Sequence, residues 1–391
     1  MIMDIIFTLP GTDTRVKVRS RPAPVMPLRA GPGRPRPAPK KSGLGSLQSG
    51  ERLVGVGRYI VARLALTIPM LLILLTVVFL ILRVIPGDPC LAMLGGRNVG
   101  PGQIESCRKS LGVDRPVTVQ YLTYVASIMR GDFGESIRTG LPVIRELLER
   151  FPATIELAVT SMLVATAFGM ATGIFAATHS DRPVDHAIRL FNIASFAMPI
   201  FWVGLMLISI FAVRLRWLPV GGRLDPVAGA IFEPLTRFYL LDTLLQRDFS
   251  TFLDALRHLI LPAATLALII SGFIGRMSRT SMLDVLGKEY VTAARSKGLR
   301  ENVVVGKHAL RNALIPIITV IGLQFALLMG GAILTETVYS WPGVARYLLE
   351  SIENRDFPAI QGTVVFIALF ISAVNLLVDV LYARLDPRVR Y

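Results

Sequence analysis

Six stretches of this chain carry no Asp, Glu, Lys, Arg or His: Leu64–Leu82, Leu157–Thr178, Leu190–Val213, Leu259–Gly275, Ala313–Thr335 and Phe357–Val378. An uncharged apolar run of about 18 residues or more is long enough to cross a hydrocarbon core ~30 Å thick as a helix. Only such helices, or closed barrels, satisfy every backbone N–H and C=O without water. Five of the runs exceed that length. The fourth has 17 residues, so a re-entrant or interfacial helix is its alternative reading. The chain is 52% hydrophobic, with a mean hydropathy of +0.56, more apolar than an ordinary soluble domain. Six spans are expected, at about 60–82, 157–178, 190–213, 259–275, 313–335 and 357–378, within a membrane domain covering residues 58–391.

Charge sets the expected orientation, because cytoplasmic flanks collect Lys and Arg. With both termini and the segments 180–189 and 276–312 inside, the inner side holds 25 basic against 10 acidic residues, and the outer side 17 against 17. The whole formal charge of +15 then lies inside. A membrane protein with this bias explains a pI of about 10.4 without a nucleic-acid surface, and no nucleic-acid partner is expected. Residues 1–57 include an Arg- and Pro-rich stretch, Arg21–Lys40, too poor in large apolar residues to fold. They read as a disordered cytoplasmic arm that touches anionic lipid, or as an overlong choice of start site. Cys90 and Cys107 both fall in the first outer segment, where a disulfide and two free thiols are both open readings.

The spans hold no ionisable residue, which argues against an ion-coupled pump. His179, His186, His258 and His308 form no H-E-x-x-H pair, and the chain lacks a G-x-S-x-G elbow, so a membrane hydrolase has no support. "VVVGKHA" imitates the end of a phosphate loop, but Glu301 stands where that loop needs Gly, and His308 replaces its Ser or Thr. No nucleotide, metal or other cofactor is expected in this chain. Free energy for uphill transport must then come through a docking surface on the inner side.

Of the two inner loops, Arg276–Asn312 is the long one, with 37 residues. Leu283, Leu286, Tyr290, Ala293, Ala294 and the stem of Lys297 follow helical spacing, which predicts a short amphipathic helix ended by Gly298. Ala293 and Ala294 leave its face nearly flat, and Arg295, Lys297 and Arg300 frame it with charge. A second helical piece, Asn302–Asn312, leads into the fifth span, with Pro316 in its first turn. The geometry is that of a lever. An interfacial helix lying in the headgroups shares the same periodicity.

The residues themselves add to this. "EYVTAARSKGLRENVVVGKHALRNALIPIIT" resembles the cytoplasmic loop of binding-protein-dependent ABC importer permeases, whose E-A-A-x-x-x-G element docks on an ATPase subunit. Thr292, Ala293, Ala294 and Gly298 occupy those positions, with Thr292 where the motif has Glu; Glu289 and Arg295 remain as polar contacts. "RVIPGDP", "RGDFGES", "WLPVGGR", "HLILPAATLAL", "ETVYSWPGVARYLLESIENRDFPAIQG" and "NLLVDVLYARLDPRVRY" resemble the dipeptide/oligopeptide branch, from about Arg58 to the end.

The resemblance implies an all-α fold: a six-helix type I importer permease with a cytoplasmic coupling helix and outer surface helices in the bacterial plasma membrane. It implies peptide import, with nickel, haem, glutathione or sugar as other cargoes of such permeases; a passive channel is the rival class. The implied partners are a second permease, two ATPase subunits holding ATP and Mg, an extracytoplasmic binding protein and membrane lipid. Glu289, Tyr290, Thr292, Ala293, Ala294, Arg295, Lys297 and Gly298 would form the ATPase contact, and His308, Arg311, Asn312 and Pro316 the hinge. Asn192, Ser195, Gln324 and Asn375 either line the path or hydrogen-bond between helices. Pro142–Phe151 reads as a surface helix entering the second span, with Val143, Leu147 and Phe151 on one side.

Overall fold

The computed structural model describes residues 65–81 and 114–385, with a few isolated positions between 100 and 109. The expected arm 1–57 and both cysteines, Cys90 and Cys107, lie outside the described residues.

Helices dominate what is described. Helix α1 (Ala65–Ile81) lays Phe79 against Tyr121 and Tyr124 of α2 (Val117–Met129), with ring centroids 5.5 and 5.8 Å apart. Helix α3 (Val143–Thr178) runs for 36 residues through Pro152, so the surface helix expected before the second span is continuous with that span. Val143 and Leu147, fully buried, pack against Val344, Tyr347 and Ala359, which is why the outer turns of α3 hold their direction beyond the bilayer.

The third apolar run is not one continuous helix. Met198 adopts an extended backbone (ψ 135°), as a residue before proline is pushed to do. The run divides into α4 (Pro183–Ala197) and α5 (Ile200–Leu207), the latter continuing as a π-helical segment Ile208–Arg214. The two halves meet at 104°. In the outer segment follow the short helices α6 (Pro226–Ile231) and α7 (Tyr239–Leu245).

Helix α8 (Phe249–Leu286), capped by the Asp248 carboxylate on the Thr251 N–H, carries the fourth run. Its 38 residues far exceed the 17 free of charge, because the helix continues through charged residues at both ends. It is the central helix of the bundle: 72% of its most apolar window is buried, against 39% for α3. After α9 (Glu289–Ser296) come a turn at Glu301–Val303, a π-helical segment Val304–Ala309, and α10 (Leu310–Gly331). Two short outer helices, α11 (Ile333–Val338) and α12 (Val344–Glu353), precede α13 (Phe357–Leu385). Among the described residues, four helices are long and apolar enough to span, five if the bent pair counts as one, while α1 falls in the shorter class of 10–17 residues.

Small residues let α3 and α8 close on each other, since lipid gives helices no hydrophobic reason to associate and close packing must do so. A methyl group at Gly173 falls 2.4 Å from the Gly275 carbonyl oxygen and 2.6 Å from Ser278 Cβ. Gly173→Ala therefore forces the helices apart and is expected to cost about 1–3 kcal/mol, read as a lower unfolding midpoint in detergent. Gly306→Ala, where no atom lies within 4 Å, should leave the midpoint unchanged.

At the end of the bundle away from α9, buried polar groups tie the α11–α12 region to α3. Glu336 accepts from Thr154 Oγ1 (2.7 Å) and from the Arg346 N–H (2.8 Å). Trp341 Nε1 donates to the Ala153 carbonyl at 2.9 Å, and Tyr347 Oη to Glu146 at 2.6 Å. The Arg223–Glu156 pair, with both side chains buried, lies under the Tyr239 ring. These bonds join the α11–α12 region and the loop after α5 to α3 and seat them as one cap.

Candidate coupling site

The polar loop between α8 and α10 is built around one short helix. Gly287 ends α8, so Leu283 and Leu286 belong to the long helix and not to the amphipathic stripe expected to begin there. Helix α9 has its own register. Glu289 in its first turn and Arg295 in its last complement the helix dipole.

Its inner face is Val291 and Ala294, which pack with Val304, Val285 and Leu286; Val291 and Val304 are fully buried. Tyr290, Thr292 and Ala293 face solvent, as do Glu289, Arg295 and Lys297. This corrects the expected face in two places: Ala294 packs into its own chain, and Val291, absent from the expected stripe, anchors the helix. The outward surface is small at Ala293 and Thr292 and carries the Tyr290 ring beside them.

Gly298 has φ +75°, and a methyl group placed on it would meet no atom within 4 Å. The glycine is needed for its backbone and not for space, because the left-handed region is costly for any side chain bearing a Cβ. Across this turn Arg295 bonds Glu301 twice, Nε at 3.1 Å and Nη2 at 2.6 Å. That carboxylate raises the Arg295 guanidinium pKa above its ordinary value. Arg295 is thus engaged within its own loop, where it holds the turn closed.

Two further ties join the inner loops to the spans. Asn312 Nδ2 donates to Tyr290 Oη (2.9 Å) and to the His308 carbonyl (3.1 Å), linking α9 to the first turn of α10. His308 is half-buried and Arg311 exposed. Pro316 lies within α10 and leaves the Asn312 carbonyl without its helical donor. With the π-helical segment before it, this is the least regular part of the inner end of α10. The second tie is Arg279 on α8, whose Nε and Nη2 reach Asp185 at 2.6 and 2.7 Å. Asp185, fully buried on α4, also accepts from the Asp181 N–H at 3.1 Å. This ion pair, absent from the sequence expectations, clamps the loop between α3 and α4 to the C-terminal end of α8.

The four polar residues expected within the spans lie on three helices. Asn192 and Ser195 are buried on α4 against α8, Asn192 beside Gly272 and Gly275 and Ser195 beside Gly272. Gln324 is half-buried and Asn375 exposed, on α10 and α13 respectively.

Among the described residues, a bundle of long apolar helices with a polar helix tied to the ends of two of them is the architecture of an integral membrane protein. Residues 169–391 match the family of binding-protein-dependent transport system inner membrane components, and residues 56–158 match the N-terminal region of such components. The chain belongs to this family. It is 45% identical to the di/tripeptide transport system permease DppB of Pseudomonas aeruginosa over 333 residues, 85% of this chain and 98% of the relative. It is 43% identical to the dipeptide transport system permease DppB of Escherichia coli K12 over 335 residues, 85% and 99%. A glutathione transport system permease of Escherichia coli, GsiC, is 38% identical over 333 residues, 85% and 99%. The chain is therefore a multi-pass inner membrane component of a binding-protein-dependent transport system, a transport subunit and not a catalyst.

Proposed function

We propose that this chain is one of two homologous permease subunits of an ATP-driven importer of di- and oligopeptides, and that α9 is its contact with an ATPase subunit. The relatives named for dipeptides and tripeptides support the cargo class over glutathione. One observation carries the coupling role: α9 turns its large apolar residue inward and offers Tyr290, Thr292 and Ala293 outward, on a helix fastened to both α8 and α10.

ATP and Mg are held by the two ATPase subunits. Their closure on ATP moves α9, and because α9 is fastened through Tyr290–Asn312 and the packing of Val291 on Val304, the inner end of α10 moves with it. The irregular stretch from Val304 to Pro316 absorbs the bend. The cavity between the two permeases turns from inward-facing to outward-facing, and the extracytoplasmic binding protein releases its peptide into it. This is alternating access by rigid-body motion. Both termini lie in the cytoplasm on this reading, Gln324 and Asn375 keep surface for the path, and the seated outer cap receives the binding protein.

The test is reconstitution of the assembled complex in vesicles with a labelled dipeptide. Uptake should require ATP, both ATPase subunits and the binding protein together. Flux through vesicles holding the permeases alone would support a passive channel and contradict the proposal.

A further inference from the structure

Helices α4 and α8 leave a cleft of ≈ 200 Å³ between them, lined by Arg189, Asn192, Ile193 and Phe196 on one side and by Phe273, Arg276 and Arg279 among the residues on the other. We propose that this cleft binds one anionic glycerophospholipid of the adjacent leaflet, its phosphate between Arg189 and Arg276 and an acyl chain along Ile193, Phe196 and Phe273.

Charge favours an anion. Three arginines line the cleft and no acid does. Arg279 is neutralised by Asp185, and Arg189 bonds the His186 ring nitrogen. Arg276 makes no ion pair among the described residues and lies 5.6 Å from the Phe273 ring centroid. Two guanidiniums without a bonded carboxylate, beside an apolar wall, call for a ligand with an anionic head and a hydrocarbon tail, and Arg binds phosphate with its planar fork of donors.

Depth favours a lipid. Arg276 follows His258 by 18 residues of one helix, a rise of about 27 Å at 1.5 Å per residue, close to the ~30 Å of a hydrocarbon core. Arg276 therefore sits at the headgroup level. On α4, Ile193 and Phe196 lie one and two turns past Arg189, at acyl depth. They are 62% and 54% exposed, and Phe196 meets Phe273 edge to face at 4.3 Å.

The experiment is native mass spectrometry of the full-length chain, delipidated in detergent and titrated with phosphatidylglycerol or with phosphatidylcholine of the same acyl chains. Phosphatidylglycerol should bind at least about tenfold tighter than phosphatidylcholine, and Arg189→Gln with Arg276→Gln should abolish that preference. Ile193→Glu, placing an acid in the tail groove, should also lower phosphatidylglycerol binding, which keeps the test open if the double variant fails to fold. Equal binding of the two lipids, an unchanged preference in the double variant, or undiminished phosphatidylglycerol binding in Ile193→Glu would overturn the proposal. So would displacement of the lipid by free glycerol phosphate, since the headgroup alone would then be the ligand. Efficient cross-linking of Ile193→Cys to the second permease in the assembled complex would overturn it as well, by showing the face covered by protein.

Discussion

Asp185→Ala is expected to destabilise the folded subunit by about 3–5 kcal/mol, the largest loss from any single side chain discussed above. The carboxylate is fully buried and takes both forks of the Arg279 guanidinium. Removing it strands a charge that is itself only 17% exposed, and also frees the Asp181 N–H at a residue held at φ +62°. The pair as a whole need not be a net source of stability, because both ions lose water on folding. The double change Asp185→Ala with Arg279→Ala should therefore recover much of the loss, giving a coupling energy well above the few tenths expected of independent sites. Unfolding midpoints of the four proteins in one detergent measure this directly. Additive losses would show that the two side chains do not depend on each other.

The second large effect is functional. Gly298→Val places a β-branched residue at φ +75°, which costs about 1–2 kcal/mol in the left-handed region. The turn can relieve that cost only by rotating α9 away from the Arg295–Glu301 pair. Since about 1.4 kcal/mol is a factor of ten in an equilibrium, peptide uptake should fall about tenfold while the ATPase subunits continue to hydrolyse ATP. Insertion should be unchanged, and the unfolding midpoint should fall by no more than about 1–2 kcal/mol of backbone strain accounts for, because no neighbour is displaced. Uptake at the wild-type rate would mean that the turn does not set the helix direction.

Gly298 and the Asp185–Arg279 pair differ in how far the sequence alone reveals them. Gly298 is legible, because a glycine after a short helical stripe next to basic residues signals a left-handed cap. Asp185 and Arg279 are 94 positions apart, and no local pattern announces that they meet. The spans show the same division. Charge-free length locates the apolar runs, yet it understates α8, whose charged ends extend past the bilayer, and makes the central helix look the most doubtful. It also passes over the break in the third run, where hydropathy is continuous across Met198 and only Pro199 hints at a bend. The outward face of α9 is hidden for a comparable reason. A stripe extended back to Leu283 runs through Gly287, and the register then shifts so that Ala294 falls to the partner and Val291 drops out. Neither π-helical segment has a composition that sets it apart from an ordinary helix.

The coupling role of α9 requires that its outward surface meet a nucleotide-hydrolysing subunit. Photo-cross-linking from position 293 in the assembled, membrane-embedded complex tests this most directly, with position 291 as the internal control. The expected result is an adduct between position 293 and an ATPase subunit, strengthened by ATP, and none from position 291, which is buried against Val304. Adducts from position 293 to lipid alone, or equal yields from both positions, would contradict it.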